Sequence, residues 1–187
     1  MANIEKKTLF GVEVYITTKN EFMIYTTLLG KIIISTEVFN SLSEQSLKTV
    51  IMHERFHQRI NKTKEGRIIN LINGILLIIV SFLIILNFAL LVVNYIHILK
   101  IGDETCIISS IILFIAILLV NIYYRRNQER AADIYSAKEV GKEYAIAGFK
   151  ELKEKSPHNE KISIIKDPFY FVTHGKWEDR INFIAEL

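Results

Sequence analysis

The chain has 187 residues, a formal net charge of +3, and half of its residues are hydrophobic. That length fits one ordinary domain, or one small domain with membrane spans, and so small a charge gives no argument for nucleic acid as a partner. A single cysteine, Cys106, excludes a disulfide framework and any multi-cysteine metal site, and reads as a small buried hydrophobe.

The charge is unevenly spread. Residues 1–67 and 125–187 carry nearly all of it, whereas residues 68–124 carry only Lys100, Asp103 and Glu104. The first 25 residues hold scattered charges and no apolar core, so no cleavable signal peptide is expected. Ala2 excludes N-myristoylation.

In chain order, Val12 to Ile16 alternates with period two and predicts a half-buried strand. Phe22 to Leu28 and Lys31 to Ser35 predict two more, turned near Gly30. The serines of 41–46, followed by Glu44 and Gln45, are helix-start chemistry. Leu47, Val50, Ile51 and Ile60 then recur at helical spacing, so a helix is expected from about residue 44 to 60. Beyond residue 125, helices are expected at about 126–139, broken near Gly141, at 144–155 and at 178–187. A loop at 156–159 and short strands or loops near 162–165 and 169–172 lie between them.

Ile68 to Leu99 runs 32 residues without a charged side chain, and Thr105 to Tyr124 runs another 20. About 20 apolar residues suffice to cross the hydrocarbon core as a helix. Asn70, Asn73, Asn94 and His97 lie towards the ends of the first stretch, where headgroups solvate them. Ser81 and Asn87 are more central, suited to bonding a neighbouring helix. The connector around Lys100 to Glu104 is short, which predicts an antiparallel hairpin. Arg59, Lys62, Lys64 and Arg67 precede the first stretch, and Arg125, Arg126 and Arg130 follow the second. The positive-inside rule then places both termini in the cytoplasm and the connector outside.

His53-Glu54-Arg55-Phe56-His57 has the spacing H-E-x-x-H. On a helix, positions i and i+4 share a face, so both imidazoles can reach one Zn²⁺, with Glu54 turned towards its open side. The alternative is a polar helix face with two unrelated histidines. A catalytic zinc needs a third protein ligand, and Glu129-Arg130-Ala131-Ala132-Asp133 offers Glu129. Asp133, one turn on, is suited to accept a hydrogen bond from a ligating histidine. A solvated charged face is the alternative there. An antiparallel hairpin over 68–124 would return Glu129 to the membrane face from which His57 departs.

Four segments resemble the HtpX-type membrane metalloproteases, relatives of the CAAX prenyl proteases among the gluzincins. Asn20-Glu21-Phe22 resembles the family's Asn-Ala-Phe edge strand, departing at Glu21. His53 to His57 matches the zinc helix, and Glu129 to Asp133 the Glu-x-x-Ala-Asp element. Thr173-His174-Gly175 with Arg180-Ile181 resembles a C-terminal Thr-His-Pro…Arg-Ile element, with Gly175 in place of the proline. The HtpX-type proteins carry a further membrane hairpin before the zinc helix, which residues 1–67 do not match.

The expected fold is α+β: a zincin-like (gluzincin) catalytic domain with a small N-terminal sheet, interrupted by a two-helix transmembrane hairpin. Residues 1–67 and 125–187 would form the two halves of the catalytic domain and residues 68–124 the hairpin. One Zn²⁺ held by His53, His57 and Glu129 would polarise a scissile carbonyl and acidify a water, whose proton Glu54 takes and passes to the leaving amine. The resemblance implies that His174 stabilises the oxyanion or binds the peptide, that Arg180 anchors its segment, and that the substrates are polypeptides, among them misfolded membrane proteins at the cytoplasmic face. A sensor protease that cuts a dedicated regulator, and a membrane adaptor with a structural zinc, stand as alternatives.

Overall fold

A computed structural model of the chain describes residues 4–18, 21–95, 104–156 and 175–187. The architecture is mixed α and β, mostly helical, with one small N-terminal sheet. Strands β1 (Ile4–Leu9) and β2 (Val12–Thr17) form an antiparallel hairpin. Its two-residue turn places Phe10 at φ 51° and Gly11 at φ 73°, the left-handed pair that suits the twist of a tight hairpin. β1 was not expected from the sequence, because Glu5, Lys6 and Lys7 break any apolar alternation. Among the described strands it pairs only with β2, and charged side chains on such an edge keep it from pairing with another chain.

Strands β3 (Ile24–Thr26) and β4 (Ile32–Ser35) complete the sheet in the order β1-β2-β4-β3. β4 runs parallel to β2 and antiparallel to β3. β3 is shorter than the expected 22–28, because Thr27 to Gly30 form the turn, closed by the Gly30 N–H donating to the Thr27 carbonyl at 2.8 Å. Leu28 and Leu29 therefore extend an apolar run without belonging to the strand. The Gln58 amide donates to the Gly30 carbonyl at 3.0 Å and the Asn61 amide to the Thr27 carbonyl at 3.1 Å, fastening this hairpin to the following long helix.

Helix α1 (Thr36–Ser41), unforeseen in the sequence, is capped by Ser35, whose hydroxyl accepts from Val38 N. Helix α2 (Glu44–Lys62) starts at Ser43, which caps Ser46 N. Its inner face carries Leu47, Val50 and Ile51 onto Val14, Ile32 and Ile34 of the sheet and Phe149 of α5 (Lys142–Lys155). The helices cross closely, since a Cβ on Gly148 would sit 2.8 Å from the Thr49 hydroxyl. Helix α6 (Trp177–Glu186) adds Ile184 to the same core.

Glu151 of α5 reaches the start of α2. It accepts from Ser43 N at 3.0 Å and from the Ser43, Ser46 and Lys155 side chains, placing an anion at a helix N-terminus. Burial raises this carboxyl, but the hydrogen bonds outweigh it and bring it down to about 2. A pKa depressed by folding stabilises the protein fully above the unfolded value near 4.5, and the contribution is lost as pH falls towards 2. Glu151→Gln should thus cost about 1–2 kcal/mol at neutral pH, allowing for solvent screening. The gap in thermal midpoint between variant and wild type should hold constant down to about pH 4.5 and close below it.

The chain divides into two compact units, Met1–Arg67 with Arg125–Leu187, and Ile68–Tyr124. Helix α3 (Lys64–Tyr95) and helix α4 (Glu104–Val140) each run through a boundary. The helix expected to start near 126 is the end of α4, and it stops at Gly141, which takes φ 98°. Among the described residues, one helix, over Lys64–Ala89, is long and apolar enough to cross a membrane by length and composition. Only 6% of its apolar stretch is buried, whereas a core helix of a soluble protein would hide most of that surface. His97 and most of the expected connector lie outside the described residues, as do Asn20, His174 and the segments at 162–165 and 169–172.

Candidate metal centre

His53 and His57 sit one turn apart on α2 and point the same way, their rings edge to face with centroids 5.0 Å apart. Glu129 comes from α4, 72 residues beyond His57 in sequence. The three residues present ligand atoms within 4.8 Å of one another. The His53 and His57 Nε2 atoms are 3.3 Å apart. Glu129 Oε2 lies 3.3 Å from His53 Nε2, and Glu129 Oε1 lies 3.3 Å from His57 Nε2.

These separations test the fit of a metal. Ligands about 2.0–2.1 Å from a tetrahedral zinc are separated by roughly 3.3–3.4 Å, the edge of the tetrahedron. The separation of the two imidazole nitrogens has that value, and Glu129 approaches each histidine to the same distance with a different carboxylate oxygen, so the three residues converge on a space of metal-ion size. The donor set is two imidazole nitrogens and a carboxylate, which suits zinc.

Charge points the same way. Asp133 Oδ1 lies 2.9 Å from His53 Nδ1. That nitrogen donates to the carboxylate, which leaves the Nε2 lone pair facing Glu129 and His57, the tautomer that ligation requires. Burial lowers the His53 imidazolium, but the hydrogen bonds to Asp133 and Glu129 outweigh it and raise its pKa. The surroundings of Nε2 therefore favour a positive charge, which either a proton or a metal cation supplies.

Asp133 is itself fixed. It is 1% exposed, and Arg180 of α6 grips both its oxygens, Nη2 donating to Oδ1 at 2.6 Å and Nε to Oδ2 at 2.9 Å. The Arg180 guanidinium lies 4.8 Å from the Phe149 ring centre and 4.9 Å from that of Trp177, within cation–π range of both. Burial raises the Asp133 carboxyl, but the Arg180 charge and the His53 hydrogen bond outweigh it and hold it below the usual carboxylate range. Arg180 Nη2 also lies 3.3 Å from His53 Nδ1. Both atoms are donors here, so this is proximity within a shared grip on Asp133 and not a hydrogen bond. Ser136, one turn short of the end of α4, donates to the Thr49 carbonyl at 2.8 Å and pins α4 against α2.

Glu54 is buried beside His53 on α2. The Thr26 hydroxyl of β3 lies 2.7 Å from Glu54 Oε2 and 3.0 Å from its main-chain oxygen. Sequence reasoning missed Thr26, since no spacing rule links a strand threonine to a helix glutamate 28 residues later. It also missed Phe149 and Trp177, which belong to no motif.

The structure thus brings together His53, His57, Glu129, Asp133 and Arg180. His174 falls outside the described residues. Its neighbour Gly175 takes φ 78°, which proline, locked near −65°, cannot adopt.

Neither a search of curated proteins nor one of solved structures gives a match. A family model, Peptidase family M48, matches residues 2–187. That match spans the strands, the H-E-x-x-H helix, the apolar stretches and the helices that carry Glu129 and Arg180. The chain therefore belongs to peptidase family M48, a family of metallopeptidases.

Proposed function

We propose that this metallopeptidase is an integral-membrane zinc endopeptidase that cleaves polypeptides at the cytoplasmic face, with membrane-protein quality control as its role. The observation that carries the zinc reading is the convergence of two imidazole nitrogens 3.3 Å apart with the Glu129 carboxylate, whose ligand atoms all lie within 4.8 Å of one another. The apolar stretches at 68–99 and 105–124, taken as two spans with basic flanks, support the membrane reading.

In this reading His53, His57 and Glu129 hold one zinc. Zinc bound there supplies Lewis acidity to the scissile carbonyl and lowers the pKa of a water. Glu54 accepts that water's proton and delivers it to the departing amine. Asp133 orients the His53 ring, and Arg180 orients Asp133. By resemblance, His174 is assigned to the developing oxyanion or to binding the peptide. An extended substrate would add a strand to the outer edge of β3, where main-chain hydrogen bonds give affinity with little demand on sequence.

Metal analysis tests this directly. The purified full chain should carry one zinc, and Glu129→Ala should lose most of it after dialysis against a mild chelator. Undiminished zinc in that variant would remove Glu129 from the site. Wild-type protein that carries zinc yet fails to cleave casein would leave a non-catalytic zinc adaptor as the better account.

A further inference from the structure

We infer that Thr26 is the positioning residue for Glu54 and joins it to the edge of the sheet where substrate would pair. The inference rests on the proposed protease reading, in which Glu54 moves the proton.

The register of β3 shows why. Thr27 N donates to Lys31 O, and Ser35 N donates to Met23 O. With Tyr25 opposite Ile33, residues 23, 25 and 27 turn their main-chain groups towards β4. In an antiparallel pair the alternate residues turn theirs the other way, so the N–H and C=O of Ile24 and Thr26 face the outer edge. No other described strand occupies that edge. The Thr26 side chain, perpendicular to the strand, reaches α2 and meets Glu54.

One residue therefore has its main chain on the edge that no described strand occupies and its hydroxyl on the carboxylate. The hydroxyl has a single proton for two acceptors on the same glutamate, Oε2 at 2.7 Å and the main-chain oxygen at 3.0 Å. Given to Oε2, it fixes the carboxylate rotamer. Given to the main-chain oxygen, it frees Oε2 to receive a proton. A substrate strand paired to β3 would hold the Thr26 backbone still and so fix the point from which Glu54 is aimed. Such alignment acts on the chemical step and leaves binding alone.

The test uses the full chain loaded with zinc, in detergent, and an internally quenched peptide that the wild type cleaves. Thr26→Val keeps the branched shape and removes the hydroxyl. Its kcat should fall tenfold or more, with KM within about twofold of wild type and zinc content and thermal midpoint unchanged. Thr26→Ser, which restores the hydroxyl, should recover most of the lost kcat. Should the valine variant fail to fold, Thr26→Ala takes its place under the same criteria. Near-wild-type kcat without the hydroxyl overturns the inference, as does a serine variant no better than valine, or a loss confined to KM. No cleavage by zinc-loaded wild type overturns the protease reading itself.

Discussion

Glu54→Gln should lower turnover by about two to four orders of magnitude, the usual yield of a positioned acid–base group, and leave one zinc bound. The substitution is nearly isosteric. The glutamine carbonyl oxygen still accepts from the Thr26 hydroxyl that now meets Glu54 Oε2 at 2.7 Å, so packing on α2 is preserved. What is lost is the capacity to take a proton. None of the three close donor contacts involves Glu54, so the metal should remain. Paired zinc analysis and peptide kinetics on the same preparation check both halves. A variant that keeps zinc and cleaves as fast as wild type removes Glu54 from the mechanism. One that loses zinc moves Glu54 into the metal site.

Local chemistry made part of this structure legible. The H-E-x-x-H spacing on a helix with a serine start located α2 and the direction of both imidazoles, because a helix fixes i and i+4 on one face. β2 and β4 were visible as apolar segments, and Gly141 as a helix end. Less of what depends on tertiary contact could be read. β1 carries its charges because it is an edge strand, so its sequence hides it. β3 was drawn too long because Leu28 and Leu29 are apolar yet occupy the turn. Asp133 was readable as a partner for a histidine, since it follows Glu129 by one turn. Arg180 was legible as a residue behind the metal ligands, but its partner was not, since it holds Asp133 from 47 residues away. Thr26 had no sequence signal, as its partner is set by how the sheet packs on α2.

Asp133→Ala should weaken both the fold and the metal site. In zinc-free protein it removes the carboxylate to which Nε and Nη2 of the Arg180 guanidinium donate, at a site where Arg180 is 8% exposed. Removing one partner of a buried ion pair costs about 3–5 kcal/mol, read as a lowered thermal midpoint. The second effect concerns the metal. Without the Asp133 acceptor 2.9 Å from Nδ1, the His53 ring loses both its orientation and its preferred tautomer, and zinc affinity should fall about 10–100-fold. Ligand binding stabilises a fold by RT ln(1 + [L]/Kd). The same saturating zinc should then stabilise the variant by about 1.4–2.7 kcal/mol less than the wild type. Melting both proteins with and without zinc separates the two roles: the zinc-free difference measures the ion pair, and the difference in zinc-induced shift measures the orientation of His53. Equal shifts would reduce Asp133 to a structural partner of Arg180. A smaller shift in the variant makes the Arg180–Asp133–His53 chain a support for the metal, which is why a C-terminal helix would be needed by a site whose His53 lies 127 residues before Arg180.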